Sequence, residues 1–457
     1  RICSWGAMAA EKFKVVFSVN TSAAVLGLGY IIGLKYALII TAGSALVWFI
    51  IVPVVGSLAE ALDPAVMASL LGVTRDDLLA DPQRLLSAEN LFQFIGKPLG
   101  IGGIAMAGII GIFKQSRIIR QAVGLAVTEL KGSKIQPVAV GRTDRDLPMK
   151  RILTILVATL LSVFVFFHVG LLDGWVQSLT AIAVVFVISF LFTTVAANAI
   201  AIVGTNPVSG MTLMTLILSS LILVSVGLNG TTGMTAALII GGVVCTALSM
   251  AGGFITDLKI GYWLGTTPRK QESWKFLGTL VAAATVAGVM IVLNKSYGFV
   301  GEGALIAPQA NAMAAVIQPL MTGGQTPWML YFCGAMLALI LTTIGVPALA
   351  FALGMFIPME LNAPLVTGGL IAWYVSTRTQ DETLNKARFD RGTLIASGFI
   401  AGGALMGVVS AVLKFAGVDW FLAEWASSNA AEWVGLAMYL LLIGYFAWHT
   451  LKLKMKN

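Results

Sequence analysis

Long apolar tracts recur along the whole chain and restrict its fold more than any other feature. A helix needs about 20 apolar residues to cross the roughly 30 Å hydrocarbon core of a bilayer. To within a few residues, such tracts lie at 15–33, 36–57, 98–113, 151–170, 178–204, 209–227, 231–256, 276–293, 303–320, 327–345, 346–375, 392–416 and 432–451. The apolar runs are continuous and do not alternate every second residue, which argues against a β-barrel. We therefore predict an all-α polytopic membrane protein with about eleven to thirteen transmembrane segments.

Composition supports this fold class and excludes several functions. Only 11% of the residues are charged, whereas soluble domains average about 25%. The net charge of +8 comes mostly from loops, where it sets membrane orientation and does not indicate nucleic-acid binding. The 3 cysteines and 2 histidines lack the spacing of ligands, so we predict no metal site and no cofactor. The nucleotide-binding motif G-x-x-x-x-G-K-[ST] is absent from the sequence, which excludes ATP-driven pumping by this chain alone.

The distribution of Lys and Arg predicts the orientation in the membrane. Connections 114–150, 257–275 and 376–391 are rich in basic residues and are expected in the cytoplasm. Connections 58–96 and 417–431 are poor in basic residues and are expected outside. The expected location is the inner (plasma) membrane, as a multi-pass protein.

Segments 21–50 and 346–375 resemble each other without gaps. The identical pairs are Ala23/Ala348, Leu28/Leu353, Gly29/Gly354, Ile32/Ile357, Gly43/Gly368 and Trp48/Trp373. The loop after the first copy is acidic and the loop after the second is basic, so we expect the copies in opposite orientations. Convergent placement of Gly and Trp in unrelated helices is the alternative interpretation.

Interruptions in the apolar tracts indicate discontinuous helices. They are predicted around Gly33 to Lys35, at Pro308 and Pro319, and at Pro358 and Pro364. Inverted repeats with broken helices are typical of alternating-access transporters, whose site lies where the breaks meet. We predict a single transporter domain over 1–457, with a first repeat unit at 15–127, central helices at 128–345 and an inverted second unit at 346–457.

Polar and ionisable residues near these breaks are candidate functional groups, because charges are costly in hydrocarbon. Glu360 and Glu302 are the candidates for proton coupling, and Glu360 is favoured. The candidates for substrate binding are Lys35, Asn206, Ser209, Gln309, Asn311 and Asn362. An interfacial side chain or a helix cap is the alternative interpretation for each.

Several motifs resemble those of the oligopeptide transporter (OPT) family, most closely its prokaryotic branch. They are Asp146-Leu147-Pro148-Met149-Lys150, Asn206-Pro207-Val208-Ser209-Gly210-Met211, Asp257-Leu258-Lys259 with Thr267-Pro268-Arg269-Lys270-Gln271, Ala307-Pro308-Gln309-Ala310, and Pro364-Leu365-Val366 with Gly368-Gly369-Leu370-Ile371 and Trp373. Their order and spacing match over nearly the whole chain. The resemblance implies a proton-coupled symporter for small peptides or, as in the related yellow stripe-like branch, for metal chelates of amino-acid-derived ligands. It also implies further hydrophobic segments before Arg1, because members are longer.

We therefore expect a secondary active transporter, not an enzyme, that imports small oligopeptides by proton-coupled symport and alternating access. Uptake of siderophore- or nicotianamine-like metal chelates is the alternative. The expected partners are the peptide or chelate, protons and membrane lipid, without nucleic acid, and a homodimer is left open. A membrane-embedded transferase is less favoured, because the acidic run at Asp76, Asp77 and Asp81 has no second acidic cluster to complement it. A passive channel is also less favoured, because it would not need a coupling carboxylate.

Overall fold

The computed structural model describes residues 14–58, 85–114, 141–172, 174–203, 208–299, 308–322, 327–418 and 428–452, apart from a few positions within them, and some isolated residues between them. All regular elements in these ranges are helices. The chain divides into two compact units, which are described separately. Unit 1 comprises Arg1–Ile104, Val289–Ile306 and Pro327–Asn457, and unit 2 comprises Ala105–Gly288 and Ala307–Thr326.

The helices are numbered in chain order. They are α1 (Ala23–Leu58), α2 (88–114), α3 (Met149–Gly170), α4 (Trp175–Val203), α5 (Val208–Ser225), α6 (Gly230–Leu264), α7 (Pro268–Ser296), α8 (Pro308–Thr322), α9 (Trp328–Thr343), α10 (Ala348–Phe356), α11 (Met359–Thr377), α12 (Glu382–Phe415) and α13 (Asn429–Leu451). Within the described ranges, 8 helices are long and apolar enough to cross a membrane. The prediction of an all-α, multi-pass membrane protein is confirmed. The total of about eleven to thirteen crossings also requires the shorter helices to cross, and stays a prediction.

Each unit has its own apolar core. In unit 1, Leu26 and Tyr30 of α1 pack with Val375 of α11, Ala396 of α12 and Phe446 of α13. In unit 2, the core is built from α3, α4, α5, α6 and α8. Many large apolar side chains of both units stay exposed, as expected for helices that face lipid.

Several predicted boundaries were wrong. The tract 15–33 begins too early, because residues 14–22 are not helical and lie before α1, which starts at Ala23. Residues 88–96, predicted as part of an external loop, are the first part of α2. The Ser87 hydroxyl accepts a hydrogen bond from the Asn90 backbone N–H (3.4 Å) and caps the start of this helix. Residues 257–264 belong to α6, which ends at Gly265 with φ 68°. Residues 88–96 and 257–264 contain charged side chains, so a prediction from apolar content alone makes both helices too short.

The two breaks that define the repeat are confirmed. Inside α1, Gly33 has φ 78° and ψ 164°, a backbone conformation that other residues rarely adopt. In the second copy, Ile357 and Pro358 are extended between α10 and α11.

The predicted interruptions at Pro364 and Pro319 were wrong, and the one at Pro308 stays a prediction, because residues 300–307 lie outside the described part of the chain. Pro364 lies inside α11, and the Glu360 carbonyl that it leaves without an intrahelical donor accepts a hydrogen bond from the Asn20 N–H at 2.9 Å. Pro308 is the first residue of α8, a position that tolerates proline, and Pro319 lies within that helix.

The broken helix α1 packs antiparallel against α10 and α11. Gly29 lies against the backbone of Leu365, and Gly354 lies against the backbone of Ile40. These two contacts join equivalent repeat positions, because Gly29 matches Gly354 and Ile40 matches Leu365 in the alignment of the segments. Small residues at such crossings let the backbones approach closely.

A second pair of contacts also joins equivalent positions of the two repeat segments. Gly43 lies against the Phe351 carbonyl, and Gly368 lies against the Leu26 carbonyl. Leu26 and Phe351 are again equivalent positions. The cores of the two copies are therefore related by an approximate two-fold rotation, whereas the outer limits of the repeat units stay a prediction.

The predicted topology is testable at the two ends of α12. In a background without native cysteines, single cysteines at Gln380 and Val418 should label with an impermeant maleimide from opposite sides of the membrane. Gln380 precedes the helix in the basic connection, and Val418 follows it in the connection poor in basic residues. Gln380 should label from the cytoplasmic side. Labelling of both positions from one side would contradict the assignment.

Candidate functional site

A cavity of about 350 Å³ lies beside the second break, entirely within unit 1. Parts of α1, α2 and α11 and the segment before α1 surround it. Its lining residues are Val16, Ser18, Trp48, Glu89, Phe92, Gln93, Lys97, Pro358, Met359 and Glu360. The volume lies at the lower end of the range of about 300–1,000 Å³ that is usual for small-molecule sites.

Two π-helical stretches shape the wall of this cavity. They are Leu46–Ile51 in α1 and Phe92–Gly96 in α2. Each widens its helix by a turn with i→i+5 hydrogen bonds, a departure that is frequent at functional sites. The ring of Trp48 from the first stretch stacks on Phe92 from the second, with centroids 4.7 Å apart.

Three ionisable side chains line the cavity. Glu89 lies in the first turn of α2 and Glu360 in the first turn of α11, and both are exposed. Lys97 is half-buried, with its ammonium nitrogen 5.7 Å from the centroid of the Phe92 ring. One cation and two carboxylates are thus presented to whatever occupies the cavity.

The Trp48 side chain carries a donor without a partner. Trp48 is only 5% exposed, and its Nε1 has no hydrogen-bond partner among the described residues. An indole N–H only donates, and a buried donor without an acceptor is costly. Trp48 lines the cavity but this nitrogen is itself buried, so an acceptor in the cavity would satisfy it only after the indole shifts.

Asn362, a predicted substrate contact, is fully buried beside the second break and does not line the cavity. Its Nδ2 donates to Ser44 Oγ at 2.6 Å, to the Ile357 carbonyl at 3.1 Å and to the Gly354 carbonyl at 3.2 Å. Ser44 Oγ also donates to the Gly354 carbonyl, at 2.7 Å. These bonds satisfy carbonyl groups at the end of α10 and fix the break. Contact of Asn362 with substrate stays a prediction that would require this network to open.

The network predicts a loss of stability in Asn362→Leu. The substitution keeps the approximate volume but removes the donor to Ser44 Oγ, and the Gly354 and Ile357 carbonyls keep only the Ser44 hydroxyl as a side-chain donor. We expect the free energy of unfolding to fall by about 1–3 kcal/mol, seen as a lower melting temperature in detergent. Asn294→Leu, at an exposed position near the end of α7, is the matched control and should melt like the wild type. Equal melting of both variants would contradict the role of Asn362.

Of the other predicted site residues, Glu360 lines the cavity and Lys35 does not. Lys35 is exposed, lies outside the cavity lining, and forms no ion pair with Glu360. Asn206 and Glu302 lie outside the described residues. Ser209 lies in the first turn of α5, and Gln309 and Asn311 in the first turn of α8, where only the backbone is described.

Sequence reasoning missed most of the cavity. Glu89, Gln93 and Lys97 recur every four residues and therefore share one face of α2. This spacing was a usable signal, but the assignment of 58–96 to a loop concealed it. Trp48 stood out in the sequence only because it is identical to Trp373 in the alignment of the two repeat segments.

Two of the sequence motifs meet in unit 2. The Arg142 guanidinium donates to the Gly265 carbonyl at 2.8 Å, and the Glu272 carboxylate accepts from the Leu147 N–H at 2.7 Å. Asp257 and Lys275 form an ion pair between α6 and α7. These contacts hold the segment before α3 against the turn between α6 and α7, so the motif residues here have a structural role.

Comparison with known proteins agrees with the motifs. The model of the family described as OPT oligopeptide transporter protein matches residues 1–414. The chain belongs to the OPT family. A Haemophilus influenzae protein named "Putative oligopeptide transporter" is 28% identical over 484 residues, which cover 95% of this chain and 73% of that protein. Membership in the OPT family confirms the resemblance and makes this protein a transporter.

Proposed function

We propose that this OPT-family protein imports small peptides across the plasma membrane by proton-coupled symport and alternating access. The family description and the name of the Haemophilus relative support peptide as the substrate class. The cavity volume of about 350 Å³ suits a peptide of two or three residues. Its aromatic wall offers apolar contact, and its charged groups offer partners for both ends of a peptide.

The charge of the cavity is the observation that carries the proton coupling. Lys97 offsets only one of the two lining carboxylates, Glu89 and Glu360. A zwitterionic peptide adds no net charge, so the occupied cavity keeps one excess negative charge. Binding of one proton to a carboxylate makes the loaded cavity neutral, which lowers the desolvation cost of closing it inside the membrane.

The paired breaks supply the moving parts. Gly33 and Pro358 interrupt helices that pack antiparallel around an approximate two-fold axis. Breaks of this kind absorb the backbone rotation that opens one side of an inverted repeat while the other closes. Glu360 follows the second break directly, so a change in its protonation acts at the hinge.

Uptake into proteoliposomes tests the proposal. Vesicles with an alkaline lumen should accumulate a labelled dipeptide above its external concentration. With a protonophore, the internal concentration should rise only to the external one. A labelled metal chelate of an amino-acid-derived ligand, assayed in parallel, should not accumulate. Accumulation of the chelate alone would favour the alternative substrate, and dipeptide uptake that ignores the proton gradient would contradict the coupling.

A further inference from the structure

We infer that the cavity recognises the carboxyl-terminal end of a peptide. The Lys97 ammonium pairs with the free carboxylate, and the Trp48 indole N–H donates to the neighbouring peptide carbonyl. This inference rests on the proposed function, because it names the part of the substrate that the same cavity holds.

The first step is the state of Lys97. The residue lies in a helix long and apolar enough to cross the membrane, is half-buried and has no carboxylate partner among the described residues. Its ammonium lies over the ring of Phe92, and this contact is weaker than an ion pair in such surroundings. An unpaired ammonium on a membrane-spanning helix is costly, and a substrate carboxylate would compensate it.

The second step is the position of Trp48. Phe92 stacks on the Trp48 ring and also lies beneath the Lys97 ammonium. The Lys97 ammonium and the indole ring of Trp48 therefore both contact the Phe92 ring. A peptide carboxylate and the carbonyl before it are separated by a single residue, so one chain end supplies acceptors for both donors.

The third step is the sign of the remaining charges. Glu89 and Glu360 also line the cavity. Their carboxylates can pair with the amino-terminal ammonium of the peptide. A peptide bound in the reverse direction would place its ammonium beside Lys97, where like charges repel. The arrangement therefore fixes the direction of the peptide as well as its charged end.

Binding of trialanine and of trialanine amide to the purified protein tests this inference by calorimetry. The wild type should prefer the free acid by roughly a hundredfold, because the amide leaves Lys97 unpaired. In Lys97→Gln the two peptides should bind about equally, within roughly threefold, because the partner of the carboxylate is gone. Lys97→Arg should keep the preference, and Lys114→Gln, at the other end of the same helix, is the matched control.

Trp48→Phe gives the second readout. It removes the indole donor and keeps an aromatic ring on Phe92. We expect the affinity for both peptides to fall by about five- to tenfold, while the preference for the free acid stays unchanged. A purely structural Trp48 would instead lower the melting temperature without this uniform loss of affinity.

The outcomes separate the inference from the proposed function. Equal affinity of the wild type for the acid and the amide, or a preference retained in Lys97→Gln, overturns the inference and leaves peptide transport standing. Absence of binding for both peptides in the wild type overturns the inference and the proposed function together.

Discussion

Glu360→Gln is expected to reduce proton-driven accumulation of peptide to the level of protein-free vesicles while leaving peptide exchange intact. Glutamine has the shape of the protonated carboxylic acid but neither gains nor loses a proton. The variant thus resembles the loaded state permanently and passes peptide in both directions without net proton movement. Accumulation and counterflow, measured on the same vesicle preparation, separate the two activities.

Matched variants give this prediction its specificity. Glu382→Gln makes the same change at an exposed position at the start of α12 and should accumulate peptide like the wild type. Glu89→Gln removes the other cavity carboxylate. If Glu360→Gln accumulates peptide normally while Glu89→Gln does not, the coupling group is Glu89. If both variants accumulate normally, neither cavity carboxylate couples transport, and Glu302 becomes the candidate.

Gly354→Val is expected to prevent folding. A Cβ atom at this position would overlap the carbonyl oxygen of Ile40, and a backbone group in an adjacent helix cannot move aside as a flexible side chain does. Overpacking of a core usually costs about 1–3 kcal/mol, and displacement of two helices costs more. Gly29→Val should fail in the same way, because it occupies the equivalent position of the first copy.

Gly407→Val is the matched control for these glycine variants. Nothing lies within 4 Å of a Cβ built at Gly407 in α12, so this variant should express and elute like the wild type. Size-exclusion chromatography in detergent reports the difference. A folded, monodisperse Gly354→Val protein would contradict the close antiparallel packing of α1 against α10 and α11.

The fold class and the principal breaks were predictable from local chemistry. Continuous apolar tracts predict transmembrane helices. A helix makes its backbone hydrogen bonds within one segment, which is required where no water can accept or donate them. Gly33 and Pro358 stand at the breaks because one tolerates positive φ and the other cannot donate to a helix. The inverted relation was visible in loop charge, and the glycine contacts bear it out for the cores of the two copies.

The site was less predictable, because it depends on tertiary contacts. Lys35 and Glu360 occupy equivalent repeat positions, but only Glu360 lines the cavity. Asn362 was correctly placed beside the break, yet the sequence does not reveal that Ser44 engages its amide. The π-helical stretches that carry Trp48 and Phe92 have no simple sequence pattern, so the aromatic wall emerged only from the structure.

The coupling of peptide to proton movement is measured most directly with vesicles that contain a pH-sensitive dye and carry no imposed proton gradient. An inward dipeptide gradient should acidify the lumen of vesicles that hold the wild type, at a rate that saturates with peptide. Glu360→Gln vesicles should take up the dipeptide without acidification. Peptide entry through the wild type with no change in lumenal pH would contradict proton-coupled symport.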